Sequence, residues 1–214
     1  MNLPTKITFS RIIAIVIMVI TLVVFYFIGL TNPSFKIDNI PGTPINWLYF
    51  GLFIFFVVAS FTDFLDGYLA RKNNQVTDLG KFLDPVADKL LINSMVIFLI
   101  VPASYTNGQM SFSLWCALLL IARDIVVDAL RFIAAQKNVV ISANIFGKAK
   151  TVLEMVAVSL VLLNDWPFAY FDSSWPSQLR IANIFVYLCT LMSLISGVIY
   201  VVQNRHVFKE EKHE

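Results

Sequence analysis

DFLDGYLARKNNQVTDLGKFLDPVAD, residues Asp63–Asp88, sets four aspartates into the flanks of two apolar stretches. Asp63 and Asp66 are three apart, and Asp84 and Asp88 four apart, so on helices each pair shares one face with side chains roughly 5–6 Å apart. Two like charges at ~6 Å repel by roughly 3 kcal/mol at an effective dielectric constant of about 20. If Lys72–Leu79 turns the chain back into a helical hairpin, the two pairs face each other and must take up protons or bind cations. Two divalent ions would balance four negative charges, and oxygen-only ligands favour magnesium or manganese over zinc. Gly67 and Ala70 leave the face beside Asp63 without bulk, room for a flat group to approach the backbone. Arg71 offers a planar fork for phosphate and Thr77 a hydroxyl. Small residues also line transmembrane helix contacts, and the aspartates could pair with Arg71, Lys72, Lys81 and Lys89. Simple ion pairing, however, does not require the fixed spacing.

Outward from this stretch, composition sets the class. The chain has 214 residues, 58% hydrophobic and 14% charged, with a mean hydropathy of +0.75. Soluble domains carry about 25% charged residues. Here apolar blocks of about twenty residues alternate with short polar segments, the pattern of an all-α polytopic membrane protein. The first apolar block is too long for a signal peptide and lacks a small-residue cleavage site, so it is expected to be retained. A net charge of +2 is too small to imply nucleic acid, and Cys116 and Cys189 lie inside apolar blocks as packing residues.

Six spans are expected: Ile7–Leu30, Trp47–Arg71, Thr77 or Asp78 to Val101, Phe112–Gln136, Ile145–Leu163 and Arg180–Gln203, with Pro85 inside the third. Residues 1–204 then form a single six-helix transmembrane domain, and residues 205–214 a charged cytoplasmic tail. With six crossings, twelve of the sixteen lysines and arginines fall on the side of both termini, against Lys36 and Arg180 on the other. The positive-inside rule therefore puts the acidic hairpin at the cytoplasmic face, at headgroup depth. Trp166, Tyr170 and Trp175 read as an aromatic belt at the opposite interface.

The pattern DxxDGxxAR, eight residues, then GxxxDxxxD resembles the signature of the CDP-alcohol phosphatidyltransferase family. It is met by Asp63, Asp66, Gly67, Ala70, Arg71, Gly80, Asp84 and Asp88. NLPTKITFSR at the start, IARDIVVDALR from Ile121 and GKAKT from Gly147 are similar to stretches of the bacterial phosphatidylglycerophosphate synthases within it. The resemblance implies six transmembrane helices packed as a homodimer with a cytoplasm-facing polar cavity, in the bacterial cytoplasmic membrane. It implies two divalent cations, Mg or Mn, held by Asp63, Asp66, Asp84 and Asp88, with Asp88 as general base. Gly67, Arg71 and Thr77, together with Asn2 and Thr5, fall at the positions that contact the CDP-linked lipid. The implied reaction is direct attack of an acceptor hydroxyl on the lipid-linked phosphorus of CDP-diacylglycerol, with release of CMP.

The acceptor is read from the fourth and fifth spans. Arg123, Asp124, Asp128 and Arg131 are ionisable groups in an apolar helix, where they must face water or each other. Arg123, Lys148 and Lys150 would clamp the phosphate of sn-glycerol 3-phosphate; alternatively Lys150 pairs with Glu154 and Arg131 with Asp128. Inositol phosphate, serine or phosphatidylglycerol would be acceptors for the same chemistry, and the basic triad argues against serine. A cation transporter would also carry intramembrane aspartates, but near the midplane of repeated halves; these cluster at one end of a chain without repeats. The basic asymmetry makes a testable statement. A cysteine at Asn73 should react only with reagents that reach the cytoplasm and one at Ser173 should be labelled from outside; external labelling at position 73 in intact cells would invert the topology.

Overall fold

A run of apolar side chains interrupted only at its start, residues Leu3–Thr31, forms the first and longest helix, α1. The computed structural model describes residues 3–32, 34–72, 77–101, 105–106, 108–137 and 145–205. Among these the elements are helical: α2 Trp47–Lys72, α3 Asp78–Ile100, α4 Leu114–Gln136, α5 Ile145–Leu162, a short α6 Ala169–Asp172, a 3-10 turn Ser177–Leu179 and α7 Ile181–Gln203. The six long helices match the six expected spans to within a few residues. Of them, α1 from Thr5 and α7 are long and apolar enough to cross a membrane, and Trp47–Asp63 is a shorter apolar stretch. The largest boundary difference is at the N-terminus, where the helix starts at Leu3 rather than Ile7. Thr5 and Thr8 lie inside it, and their hydroxyls meet the α3 cap residue Thr77 and Asp84 of α3. The tail from residue 206 lies outside the described residues.

The chain divides into two units, Met1–Ser111 with Val161–Tyr170, and Phe112–Leu160 with Phe171–Glu214. In the first, α1, α2 and α3 pack against one another. One stripe of α1 is buried, Thr5, Thr8, Arg11, Ile15, Met18 and Leu22, at the three- and four-residue spacing of a helix face. Its opposite side is also apolar: Ile13, Ile17, Ile20, Val24 and Phe27 are exposed. A helix apolar on all sides, with one side uncovered by protein, belongs against lipid rather than water. Tyr49, Phe56, Leu91, Met95 and Leu99 complete this core. The far end is closed by buried amides. Asn46 donates to the Ile37 carbonyl at 2.6 Å and Asn164 to the Pro44 carbonyl at 2.8 Å. The side-chain oxygen of Asn164 accepts from the Met110 N–H at 2.9 Å.

In the second unit α4 packs along α7. The buried side of α7 runs Ala182, Val186, Cys189, Ser193, Ser196, Gly197 and Tyr200, mostly small residues that let helices approach closely. Both cysteines are buried free thiols, as their apolar settings imply. The segment before α7, which carries Trp166, Tyr170 and Trp175, is not entirely irregular. It contains α6, whose Asp172 is fully buried and accepts a hydrogen bond from the N–H of Ile181 at 2.9 Å. This satisfies one of the orphan donors at the start of α7 from nine residues upstream. Asp172→Ala should therefore lower stability by ~1–2 kcal/mol, and Asp172→Asn, which keeps an acceptor oxygen, by less; thermal unfolding of the purified protein measures both.

Candidate active site

The last turns of α2 and the first turns of α3 carry the acidic hairpin. Thr77 starts α3: its hydroxyl accepts from the Gly80 N–H at 3.1 Å, as an N-cap does. The same hydroxyl lies 2.9 Å from that of Thr5 on α1. Gly80 fits because a Cβ there would stand 3.1 Å from the Thr77 hydroxyl and 3.6 Å from that of Thr5. This cap fixes where Asp84 falls, two turns later. Thr8 donates to Asp84 Oδ1 at 3.0 Å, so the carboxylate is held from α1.

Arg11, one turn beyond Thr8, reaches both acidic helices. Its guanidinium pairs with Asp63 on α2 and lies 3.9 Å from Asp88 on α3. The Arg11 side chain is only 3% exposed, whereas those of Asp63 and Asp88 are 31% and 51% exposed. The cation forms the floor and the carboxylates open toward the outside. Gly67, one turn after Asp63, is half-buried on α2. The side chains of Asp66, Ala70 and Arg71, and the whole of Asn2, lie outside the described residues. Among the described residues no three His, Cys, Asp or Glu side chains gather as a metal site. The donor set nevertheless suits hard cations. It is all oxygen, comes from two helices, and already has one cationic group between Asp63 and Asp88.

The second unit holds the other ionisable cluster. Arg123 donates to Asp124 at 2.9 Å, to the Ser193 carbonyl at 3.2 Å and to the Ser196 hydroxyl at 2.8 Å. Gly197 makes room for it, since a Cβ there would meet Arg123 Cγ at 2.9 Å. The Lys150 ammonium is buried between Asp124, at 2.8 Å, and Glu154, at 2.7 Å. The Lys150–Glu154 pairing read from sequence as an alternative is thus present, with Asp124 added. Lys148 is exposed. Arg131 donates to the Tyr200 hydroxyl at 2.8 Å and lies 5.3 Å from the centre of its ring, a cation–π contact.

Sequence reasoning passed over Thr8, Arg11, Ser196 and Gly197. For Arg11 a signal existed: Thr5, Thr8 and Arg11 recur at three-residue spacing, and an arginine in an apolar helix needs a partner. For Gly197 no such signal existed, because a small residue on a transmembrane helix suggests packing first.

Comparison with known proteins agrees with these motifs. The sequence model of the CDP-alcohol phosphatidyltransferase family matches residues 1–195. The chain is 35% identical to the CDP-diacylglycerol--glycerol-3-phosphate 3-phosphatidyltransferase of Bacillus subtilis, with 97% of each chain covered. It is 32% identical to the protein of that name from Rickettsia bellii, with 93% of each covered. The corresponding Shigella flexneri protein is 33% identical over 91% of each.

The Lys150 cluster generates a stability prediction. Lys150→Met leaves two carboxylates facing each other in a buried setting and should cost about 3 kcal/mol or more. Adding Glu154→Gln should recover a large part of that loss, which a double-mutant cycle in thermal or denaturant unfolding measures.

Proposed function

The chain belongs to the CDP-alcohol phosphatidyltransferase family, and from that premise we propose that it transfers the phosphatidyl group of CDP-diacylglycerol to sn-glycerol 3-phosphate, giving phosphatidylglycerophosphate and CMP. The observation that carries this reading is the complete eight-position acidic signature on α2 and α3, in a chain whose relatives of matching length bear one activity name. The protein is a membrane enzyme that depends on divalent cations. In our reading its six long helices all cross the bacterial cytoplasmic membrane as one domain over residues 1–204. Both termini, the tail from residue 205 and a polar active-site cavity then face the cytoplasm, and the chain works as a homodimer.

Two cations, Mg or Mn, would be held by Asp63, Asp66, Asp84 and Asp88. When bound they neutralise the pyrophosphate of the CDP-lipid and stabilise the departing CMP. The remaining work belongs to the chain. Thr8 holds Asp84 in one orientation through its hydroxyl. Gly67, Arg71 and Thr77, with Asn2 and Thr5, receive the CDP portion; Gly67 lets a flat group approach the backbone, and Arg71 provides a forked donor for phosphate. Asp88, half-exposed, takes the proton from the acceptor hydroxyl as it attacks phosphorus. The attack is direct, so no covalent intermediate with the protein is needed. Arg123, Lys148 and Lys150 receive the acceptor's phosphate. Lys148 is the exposed member, while Asp124 holds the other two in place.

An acceptor screen tests the reading. Purified protein with CDP-diacylglycerol and Mn or Mg should release CMP with glycerol 3-phosphate, and not with inositol phosphate, serine or phosphatidylglycerol; EDTA should abolish release. Asp88→Asn should still bind the CDP-lipid yet turn over ~100-fold more slowly or worse. Lys148→Ala should raise the apparent constant for glycerol 3-phosphate about tenfold, the lower end of what a charged hydrogen bond contributes, with that for the CDP-lipid nearly unchanged. CMP release with serine alone would sink the assignment of the acceptor, and full activity in EDTA that of the metals.

A further inference from the structure

We propose that Arg11 is the resident counter-cation of the acidic hairpin, holding Asp63 and Asp88 together before metal binds and opposing the metal once it arrives. This rests on the reading of the aspartates as metal ligands. Three observations carry it. The Arg11 side chain is enclosed, at 3% exposure, so its charge requires anionic partners within reach. Those partners come from two different helices, Asp63 from α2 and Asp88 from α3, while Arg11 itself comes from α1. The carboxylates are also more open than the arginine, 31% and 51% exposed, so an arriving cation can reach them while the guanidinium stays enclosed.

The charge balance states what this accomplishes. The four aspartates of the stretch contribute four negative charges, and Arg11 leaves the unloaded cluster at a net three negative. Two divalent ions would bring it to one positive, whereas without Arg11 they would bring it only to neutrality. The loaded site thus retains attraction for a pyrophosphate, and the unloaded hairpin is relieved of part of its repulsion. Weaker metal binding is the cost. A single and a double positive charge ~5 Å apart repel enough, even at the dielectric constant of water, to weaken binding roughly tenfold. By linkage, metal loading must weaken the Arg11–carboxylate pairing to the same degree. Arg11 is a positioning residue here, acting through the carboxylates rather than on substrate.

The experiment uses the full chain in lipid nanodiscs without substrate, with Mn(II) binding followed by electron paramagnetic resonance and thermal unfolding recorded with and without Mn(II). Arg11→Met, of similar length and uncharged, should bind Mn(II) about tenfold or more tightly than the native chain. Its metal-free form should unfold at lower temperature, and Mn(II) should restore most of the loss. Arg11→Lys, which keeps the charge, should stay within about threefold of native affinity. If Arg11→Met folds only when purified in Mn(II), the proposal stands, since the metal then replaces the missing charge. Unchanged or weaker Mn(II) affinity, equal destabilisation in both states, or failure to fold even with Mn(II) would each reduce Arg11 to a packing tie and overturn it. Absence of Mn(II) binding by the native chain is a separate result, and it would remove the metal reading on which the proposal rests.

Discussion

Like charges brought together on two apolar helices are the constraint on which the first unit depends. Asp63, Asp84 and Asp88 sit on two helices that pack against each other, and without compensation their repulsion would drive those helices apart. The compensation comes from α1. Thr8 holds Asp84, Arg11 engages Asp63 and Asp88, and Thr5 meets the cap of α3 through Thr77. The three residues repeat every third position on one face, so a single helix supplies a hydroxyl, a hydroxyl and a guanidinium along the line where the acidic helices need them.

This arrangement asks two incompatible things of α1. Its first three turns must be polar on the inner side, while the helix as a whole must remain apolar enough to lie in lipid. The sequence resolves the conflict by position. Polar inner residues end at Arg11, and Ile15, Met18 and Leu22 continue the same stripe as core, whereas from Ile13 onward the outer side is apolar apart from Thr21 and the terminal Thr31. The long Arg11 stem helps, since it carries the enclosed guanidinium across to Asp63 on α2 and to within 3.9 Å of Asp88 on α3. The buried polar segment thereby coincides with the end where α2 and α3 present their carboxylates.

Much of this was legible in the sequence, for reasons that differ by element. The six long helices follow from apolar runs bounded by polar turns, and the Thr77 cap from a hydroxyl three residues before Gly80 at the head of an apolar run. The acidic positions follow from spacing alone. The spacing of Thr5, Thr8 and Arg11 signals that this face needs partners but not which ones, because those of Thr8 and Arg11 lie more than fifty residues away and nothing in a helical period indicates which distant helix a face will meet. Asp172 was hidden for a related reason. It caps α7 across an intervening turn rather than from the adjacent residue where a cap is sought.

The second unit shows the opposite use of charge. Arg123 and Lys150 bring two positive charges, Asp124 and Glu154 two negative, and their hydrogen bonds join all four into one connected set. Within the set, Asp124 accepts from Arg123 with Oδ1 and from Lys150 with both oxygens, so removing it would release two cations at once. A balanced set exerts little field on an approaching anion at a distance, because its charges cancel beyond a few ångströms. In the proposed function, attraction for a phosphate would then begin at a group outside the set, such as Lys148, exposed two residues before Lys150. An anion arriving at Lys148 would gain further only by drawing Arg123 or Lys150 away from Asp124. If the cluster receives the acceptor's phosphate as proposed, its acids would then favour a phosphate dianion over a weakly charged acceptor, which could not compete with Asp124.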